Sequence, residues 1–287
     1  MDLLIRPCRS VLYIPASNPR ALEKARRLDA DAIIFDLEDA VAPDQKETAR
    51  TRLRELFDST DFGPRFRIVR INALDTPWGH ADARAFADTG VDALLLPKVD
   101  GAAAVDELAA IVPALPLWAM METPLGILNA SEVAAHGRVA GFVMGTNDLA
   151  KDLGARSDPM RMPLMTALQS CLLAARAHGV IAIDGVYNAF RDNEGLRREC
   201  RQGRDMGFDG KTLIHPAQIA IANEVFAPDE SEIDHARRQI AAFEEAEREG
   251  RGVAVLDGRI VENLHVEAAR RLLARAAAIL KMKGGAK

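Results

Sequence analysis

The sequence predicts an α/β protein whose strands close into an eight-stranded (β/α)8 barrel, the TIM barrel, with a C-terminal helix–hairpin–helix lid. Eight short apolar, β-branched runs alternate with alanine-rich helical patterns. Nearly continuous apolar strands suit a parallel sheet that helices bury on both faces. Eightfold alternation favours a barrel over a doubly wound sheet, whose first turn often carries a glycine fingerprint. Residues 15–19 read Pro-Ala-Ser-Asn-Pro, without glycine.

Each predicted strand is followed by a predicted helix, and together they assign residues 1–226 to the barrel. The strands are residues 10–16, 32–37, 66–71, 93–99, 116–122, 141–145, 180–184 and 211–215. The helices are residues 19–28, 46–57, 81–89, 102–111, 125–136, 161–178, 194–206 and 217–225.

The pattern changes after residue 226, and residues 227–287 are predicted to form a separate extension. A charged helix ends near Glu249, and the next strand pair, residues 253–256 and 259–261, flanks an Asp-Gly turn typical of a hairpin. A last helix covers residues 265–282. We expect this extension to cover the barrel mouth, a neighbouring subunit, or both.

Composition excludes several classes of function. The formal charge is −5 and the pI about 5.8, whereas nucleic-acid binders usually carry a basic face. No apolar run approaches the roughly 18 residues of a membrane span, and the first residues do not resemble a signal peptide. Three cysteines without a CxxC pair indicate a reducing compartment. We expect a cytoplasmic protein that binds neither nucleic acid nor membrane.

Polar residues stand where several predicted strands end. In a barrel, the carboxyl ends of the strands meet at one face, where catalytic groups lie. These residues include Asp36, Glu38, Arg70, Lys98, Glu122 and Asp148. Carboxylates from three strands and an arginine from a fourth are therefore predicted to meet at this face of the barrel.

Glu122 and Asp148 end adjacent strands and have two interpretations. Two neighbouring carboxylates repel each other unless a cation or a proton lies between them. Hard oxygen ligands without histidine or cysteine suit Mg²⁺, with water and substrate completing the coordination. In the other interpretation, both residues cap helices.

Arginine and lysine residues suggest two anion-binding places. Arg70 ends a buried strand, so it either pairs with Asp36 or Glu38 or faces negative charge that develops on a substrate. A second basic group surrounds the first predicted strand and helix. It is either a solvated helix face or a phosphate site. Its members are Arg9, Arg20, Lys24, Arg26 and Arg27.

Six sequence strings resemble the citrate lyase β-subunit-like group of the HpcH/HpaI aldolase and citrate lyase superfamily. This group also contains malyl-CoA and citramalyl-CoA lyases. The resemblance extends from Arg9 to about Arg271. The strings are residues 9–18, 35–41 (FDLEDAV), 96–99 (LPKV), 122–130 (ETPLGILNA), 145–154 (GTNDLAKDLG) and 207–218.

The resemblance implies a Mg²⁺-dependent carbon–carbon lyase that acts beside a thioester. Glu122 and Asp148 would bind the metal, and Arg70, with Glu122, would contact the substrate. Asp36 and Glu38 would shape the polar pocket. The segment that would lie near coenzyme A contains Arg9, Tyr13, Arg20 and Lys24. By analogy the protein would be a homotrimer or hexamer whose lids cover neighbouring sites.

Residues 258–264 depart from the family pattern. Relatives carry an aspartate followed by a proline, and the aspartate reaches a neighbouring site as the acid/base. Here Glu262 takes the aspartate's place and the proline is missing. An extra methylene moves the carboxyl group by more than about 1 Å, which can lower a rate about 100-fold. Either the lid has adjusted or the reaction differs.

The expected reaction is a retro-Claisen cleavage of a 3-hydroxyacyl-CoA of malyl, citramalyl or citryl type. The products would be a 2-oxo acid and an acyl thioester, with Arg70 stabilising the enolate and Glu262 transferring its proton. Three alternatives remain: a malyl-CoA thioesterase, a citrate lyase β subunit that acts on a carrier-bound citryl group, and a non-catalytic CoA-ester-binding protein.

Overall fold

The computed structural model describes residues 6–284, and it contains the predicted barrel. The eight strands are β1 (Ser10–Pro15), β2 (Ala32–Asp36), β3 (Phe66–Arg70), β4 (Ala93–Leu96), β5 (Leu117–Met121), β6 (Val139–Met144), β7 (Ile181–Asp184) and β8 (Gly210–Leu213). They pair in sequence order, every pair is parallel, and β8 pairs with β1 to close the sheet. The predicted (β/α)8 TIM barrel is confirmed.

Helices surround the closed sheet. They are α1 (Pro19–Ala25), α2 (Lys46–Ser59), α3 (Gly79–Phe86), α4 (Ala102–Ile111), α5 (Pro124–Leu128), α6 (Ala130–Ala135), α7 (Thr146–Asp152), α8 (Met165–His178), α9 (Asn193–Met206) and α10 (Ile219–Val225). Short 3-10 turns occupy Pro43–Gln45, Met162–Leu164 and Pro216–Gln218.

Two predicted helices differ from those in the structure. The helix expected at residues 125–136 is two helices, because Asn129 has a non-helical backbone and donates a side-chain hydrogen bond to the Asp100 carbonyl. The helix expected at residues 161–178 begins only at Met165, because Arg161 adopts a left-handed φ of 57°. Helix α7 was not predicted, since it is only seven residues long and follows β6 almost directly.

Alternate strand positions fill two apolar layers, as the period of a strand requires. Inside the barrel, Ile34 packs in a cluster with Trp118. Its neighbour Ile33 belongs to a second cluster, which also contains Leu53 and Phe57 of α2. The strands are therefore buried on both faces, which explains their nearly continuous apolar sequence.

The chain divides into two compact units, Cys8–Phe226 and a second one that contains residues 227–284. The second unit contains α11 (Glu230–Arg248), the antiparallel hairpin β9 (Ala254–Leu256) and β10 (Arg259–Val261), and α12 (Asn263–Gly284). Phe243, Val261 and Val266 belong to its apolar core. None of the helices in the described part of the chain has the length and apolar character needed to cross a membrane.

Candidate active site

A cavity of about 360 Å³ lies at the carboxyl ends of the barrel strands. Five residues that the sequence singled out line it together: Tyr13, Asp36, Arg70, Glu122 and Asp148. The predicted convergence of strand-end groups is therefore present in the structure. Glu38 contacts this group through Arg70.

Glu122 follows β5, and its carboxylate is held by a hydrogen bond at one oxygen and lies close to Gly145 at the other. Its Oε1 accepts a hydrogen bond of 2.7 Å from the backbone N–H of Lys98. A Cβ atom at Gly145 would lie 2.5 Å from Oε2, so only glycine leaves room for the carboxylate there. Burial raises the pKa of Glu122 to about 7, although the Lys98 amide and Arg70 oppose this shift.

Asp148 lies in the first turn of α7 and faces the same cavity as Glu122. Its negative charge contributes to the raised pKa of Glu122, so the two carboxylates interact. The helix-capping interpretation is wrong for both residues. Thr123 caps α5 through its side chain, and Gly145 occupies the N-cap position of α7. Within the described residues, neither carboxylate forms an ion pair with a lysine or arginine.

The donor set at this place fits a hard divalent cation. Two carboxylates interact in one cavity, and neither is paired to a cationic side chain of the described part of the chain. Across residues 6–284, no group of three or more His, Cys, Asp or Glu could hold a metal ion. A cation held by Glu122 and Asp148 would therefore lack a third ligand of these types among the described residues, and water and substrate oxygens would fill open positions. Mg²⁺ commonly binds in this way.

Arg70 is held by two carboxylates at once. Its Nε and Nη2 donate to the two oxygens of Asp36 at 2.7 and 2.6 Å, and its Nη1 lies 2.8 Å from Oε2 of Glu38. Burial alone would lower the pKa of Arg70, but Asp36 reverses the effect and holds it well above its usual value. The predicted ion pair is present with both candidate partners. Arg70 also lines the cavity, which is consistent with a contact to substrate. That contact stays a prediction.

Lys98 is a residue whose role the sequence did not reveal. Its backbone is left-handed, with a φ of 51°, and this backbone presents its N–H to Glu122. Its ammonium group lies 3.0 Å from Oε1 of Glu38, whose other oxygen contacts Arg70. Lys98 thus contacts Glu122 through its backbone N–H and Glu38 through its side chain. Its place after β4, in the LPKV string, was the available signal.

The predicted coenzyme A residues do not lie together. Tyr13 lines the cavity, with the Arg70 guanidinium 5.1 Å from the centre of its ring. Arg20 and Lys24 are exposed on α1. Arg9 precedes β1, so it lies at the opposite end of the barrel, where its guanidinium pairs with Asp31 at 2.7 Å. We therefore correct the expectation for Arg9 and give it a structural role.

Glu262 belongs to the C-terminal unit, directly after β10, and is exposed. Its backbone N–H donates to Nδ1 of His265 at the start of α12. No contact of its carboxylate is found within the described residues, so its proposed acid/base role stays a prediction.

One family model, described as HpcH/HpaI aldolase/citrate lyase, matches residues 9–216. A (3S)-malyl-CoA thioesterase of Cereibacter sphaeroides strain KD131 is 66% identical over 273 residues, which cover 95% of this chain and 96% of that protein. Citrate lyase subunit beta of Escherichia coli K12 is 38% identical and covers 94% of each chain.

A solved structure has the same fold over nearly the whole chain. It is the protein CitE from Mycobacterium tuberculosis in complex with magnesium, acetoacetate and coenzyme A. The TM-score is 0.79 at 35% sequence identity, and the match covers 93% of this chain and 97% of that one.

Proposed function

This chain belongs to the HpcH/HpaI aldolase/citrate lyase family, and from that membership we propose that it is a Mg²⁺-dependent enzyme that hydrolyses malyl-CoA or a closely similar CoA thioester. The observation that carries the proposal is the 66% identity to a (3S)-malyl-CoA thioesterase over 95% of the chain. The sequence favoured a lyase and kept the thioesterase as an alternative. We now reverse that order.

Glu122 and Asp148 would hold the metal ion. When bound, Mg²⁺ would supply positive charge that orients the carboxylate and hydroxyl oxygens of the substrate. The Lys98 N–H fixes one oxygen of Glu122, and Gly145 leaves space for the other. Little rearrangement of Glu122 would therefore be needed at the moment of binding, and preorganisation of this kind lowers the energetic cost of ligand binding.

Arg70 would stabilise negative charge on the thioester oxygen. Asp36 holds two of its N–H groups in a bidentate pair, which fixes the plane of the guanidinium. Glu38 holds Nη1, and Lys98 holds Glu38 from its other oxygen. A donor fixed in this way can stabilise a charge that appears only during reaction, without reorganising first.

In the proposed hydrolysis, water adds to the thioester carbonyl carbon and gives up a proton. The carbon–sulfur bond then breaks, and the sulfur leaves as the CoA thiolate, which is protonated to the thiol. The products from malyl-CoA are malate, a 2-hydroxy dicarboxylic acid, and CoA. We propose that Glu262 of a neighbouring subunit accepts the proton of the water, because its exposed carboxylate has no hydrogen-bond or ion-pair partner among residues 6–284 and is available for that step.

The second candidate is the carbon–carbon lyase, which the similarity to citrate lyase subunit beta favours. Here the substrate hydroxyl loses its proton and the bond between the hydroxyl carbon and the thioester's α-carbon breaks. The two products are a 2-oxo acid and an acyl-thioester enolate, which takes up a proton at carbon. Arg70 would stabilise the enolate oxygen, and Glu262 would supply the proton.

Product analysis separates the two reactions. The enzyme is incubated with Mg²⁺ and malyl-CoA, and free thiol, malate, acetyl-CoA and glyoxylate are quantified separately. We expect free CoA and malate in equal amounts, without acetyl-CoA. Acetyl-CoA and glyoxylate in equal amounts would establish the lyase instead. The Glu122→Gln variant controls for contaminating hydrolases.

Further substrates test the remaining alternatives. Citramalyl-CoA and citryl-CoA are assayed in the same way, and a citryl group on an acyl carrier tests a citrate lyase β-subunit role. CoA-ester binding without turnover of any thioester would support a non-catalytic protein. We expect malyl-CoA to be the best substrate among them, because the similar thioesterase is named for it.

We also propose that the chain assembles as a trimer or hexamer, with residues 227–287 serving as a lid on a neighbouring barrel. The motivation is the proton-transfer role of Glu262, which lies outside the barrel unit. Light scattering after size-exclusion chromatography measures the assembly. A monomer that is fully active would contradict this proposal.

A further inference from the structure

Tyr13 lies against the face of the Arg70 guanidinium, a contact to which the proposed reaction assigns no role. The guanidinium carbon is 5.1 Å from the centre of the ring, which is within the range of a cation–π contact. Both residues line the cavity at the carboxyl ends of the strands. Such a contact is stronger where water is excluded, and the side chain of Arg70 is only 8% exposed.

The barrel holds Tyr13 in place from the side opposite to Arg70. Tyr13 is opposite Ile34 in the register of β1 and β2, and it packs against the apolar cluster inside the barrel. Its hydroxyl group donates to Sδ of Met120 at 3.8 Å. Burial raises the pKa of Tyr13, although the charge of Arg70 opposes the shift, so the phenol stays protonated and keeps this donor.

The polar contacts of Arg70 lie at the edge of its guanidinium. Nε and Nη2 donate to Asp36 at 2.7 and 2.6 Å, and Nη1 lies 2.8 Å from Glu38 and donates to Sδ of Met120 at 3.6 Å. Because the N–H groups point outward in the plane, these contacts resist movement within the plane more strongly than tilting out of it. Tilting is opposed by a contact on the face, which Tyr13 supplies.

One N–H of Arg70 is left for a substrate. Nη2 carries two hydrogens, of which one is donated to Asp36, and no acceptor for the other is found among the described residues. The direction of this second N–H follows the tilt of the guanidinium. A hydrogen bond weakens steeply when its angle falls towards about 120°, so a tilt lowers the stabilisation of an oxyanion while the charge of the arginine is unchanged.

We propose that Tyr13 is a positioning residue for Arg70, whose ring fixes the tilt of the guanidinium and thereby aims the remaining Nη2 N–H at the oxygen that becomes negative in the reaction. This inference rests on the proposed role of Arg70, which is the same in hydrolysis and in carbon–carbon cleavage. The family resemblance implies another role for Tyr13, near coenzyme A. The two roles predict different kinetics.

Steady-state consumption of malyl-CoA with Mg²⁺ separates the two roles and covers both reactions. Tyr13→Leu removes the ring, so kcat should fall about tenfold or more, the effect of losing a cation–π contact shielded from water. KM should stay within about twofold, because an interaction made only in the transition state lowers kcat and kcat/KM equally when it is lost. Tyr13→Phe keeps the ring and should recover most of the loss.

Phe190→Leu is the matched control. The ring of Phe190 also carries an arginine, with the Arg191 guanidinium 5.4 Å from its centre, but it does not line the active-site cavity. Its kcat should stay within about twofold of the wild-type value.

Three kinetic results overturn the proposal. The first is a wild-type kcat in Tyr13→Leu. The second is a raised KM with unchanged kcat, which would assign Tyr13 to substrate binding. The third is an equal loss of kcat in Tyr13→Phe and Tyr13→Leu, which would assign the effect to the hydroxyl group.

A measurement without turnover separates this proposal from the proposed function. The Nε–H signal of Arg70 in a ¹H–¹⁵N NMR spectrum of the metal-free protein is assigned by its absence from Arg70→Lys. An aromatic ring over the guanidinium shifts this signal, so Tyr13→Leu should move it and Tyr13→Phe should leave it near the wild-type position. An unmoved signal in Tyr13→Leu overturns the proposal. Wild-type protein that does not consume malyl-CoA but shows these shifts contradicts the proposed function and supports the contact that positions Arg70.

Circular dichroism checks the fold of each variant. Should Tyr13→Leu not fold, Tyr13→Met takes its place under the same expectations, because methionine fills irregular space without supplying a ring.

Discussion

Gly145 and Glu122 are in such close contact that a side chain at one would displace the other. A Cβ atom on residue 145 would lie 2.5 Å from Oε2 of Glu122, far inside normal contact distance. Gly145 does not have a positive φ, so its backbone alone does not require glycine. The requirement comes from the space occupied by the Glu122 side chain, whose Cβ would lie only 2.3 Å from the added atom. The residue that follows β6 is therefore constrained by the side chain that follows β5.

The Gly145→Ala variant should therefore lose metal affinity while remaining folded. Its methyl group forces Glu122 away from the cavity, and a displacement of about 1 Å in a positioned group can lower a rate about 100-fold. We expect Mg²⁺ titration to show weaker binding and kcat to fall by that order. Gly137→Ala is the control, because its Cβ would meet no atom within 4 Å. Unchanged Mg²⁺ affinity in Gly145→Ala would show that Oε2 does not bind the ion.

Direct substitution of the two carboxylates gives a second prediction. Glu122→Gln and Asp148→Asn preserve side-chain size but remove the charge that a hard cation requires. Each should abolish detectable Mg²⁺ binding and turnover while leaving the circular dichroism spectrum unchanged. Asp106→Asn, an exposed carboxylate on α4, is the control. Full activity of the wild type in excess EDTA would contradict the metal requirement.

The sequence predicted the parts of the site that follow from strand order. Asp36, Arg70, Glu122 and Asp148 each stand at or just beyond the carboxyl end of a strand, and the closed barrel brings them to one cavity. A repeat of strands and helices is sufficient to predict that convergence, because it depends on topology and not on details of packing.

Backbone conformation accounts for what the sequence did not predict. The role of Lys98 depends on its N–H and on a left-handed φ, neither of which a residue type reveals for a lysine. Arg161 lies in a loop rich in polar residues and proline, which is typical of a surface, yet its positive φ directs it inward. Arg9 was misplaced although it directly precedes β1, because strand order alone puts it at the amino end of the strand, away from the cavity, where it pairs with Asp31.

Arg70→Lys should fold but lose most of its catalytic rate. A lysine ammonium cannot reproduce the bidentate pair with Asp36 or reach Glu38 at the same time. We expect kcat to fall about 100- to 1,000-fold, the usual effect of losing one donor to a developing oxyanion. Thermal unfolding and steady-state kinetics measure the two effects.

The matched control for Arg70 lies on the same strand. Arg67 of β3 also forms a paired contact with a carboxylate, through Nε and Nη2 to Asp92, but it does not line the cavity. Arg67→Lys should leave kcat within about twofold, since this half-buried pair lies outside the cavity. A comparable loss of kcat in both variants would mean that Arg70 acts only through the stability of β3.

Asp184 should make the stability of the protein depend on pH in the acidic range. Burial alone would raise the pKa of Asp184, but Lys211 at 2.9 Å and Arg161 at 2.7 Å lower it below its usual value. Because the pKa of Asp184 is lower in the folded protein than in the unfolded chain, where it is about 3.9, the ionised carboxylate stabilises the folded state at pH values above about 3.9. This contribution is lost as the pH falls through the pKa of the folded state. Urea unfolding at fixed protein concentration and several pH values measures it.

Asp184→Asn should lower the free energy of unfolding at pH 7 by about 3–5 kcal/mol, because it leaves two buried cations, Lys211 and Arg161, with Glu199 as their one remaining carboxylate partner among the described residues. It should also reduce the slope of stability below pH 4 by up to about 1.4 kcal/mol per pH unit. Asp205→Asn is the control, since its ion pair with Arg204 is exposed and should contribute less than about 1 kcal/mol. Parallel pH curves for the wild type and Asp184→Asn would contradict the prediction.

Glu262 gives the last prediction, which tests both its chemistry and its proposed place on a neighbouring subunit. Glu262→Gln and Asp148→Asn should each be nearly inactive alone, because one lacks the proton-transfer group and the other a metal ligand. Mixed oligomers contain sites that combine an intact Asp148 with an intact Glu262 from the neighbour. If the lid acts between the subunits of a trimer, random assembly of equal amounts should restore about one quarter of the wild-type activity in the unfractionated mixture and about one third in the isolated mixed trimers. The variants are co-expressed with different tags, and the mixed oligomer is isolated by tandem affinity purification.

The control is Glu267→Gln, which removes an exposed carboxylate from α12 and should be fully active alone. Mixed oligomers no more active than the separate variants would place Glu262 at the site of its own subunit or outside the reaction.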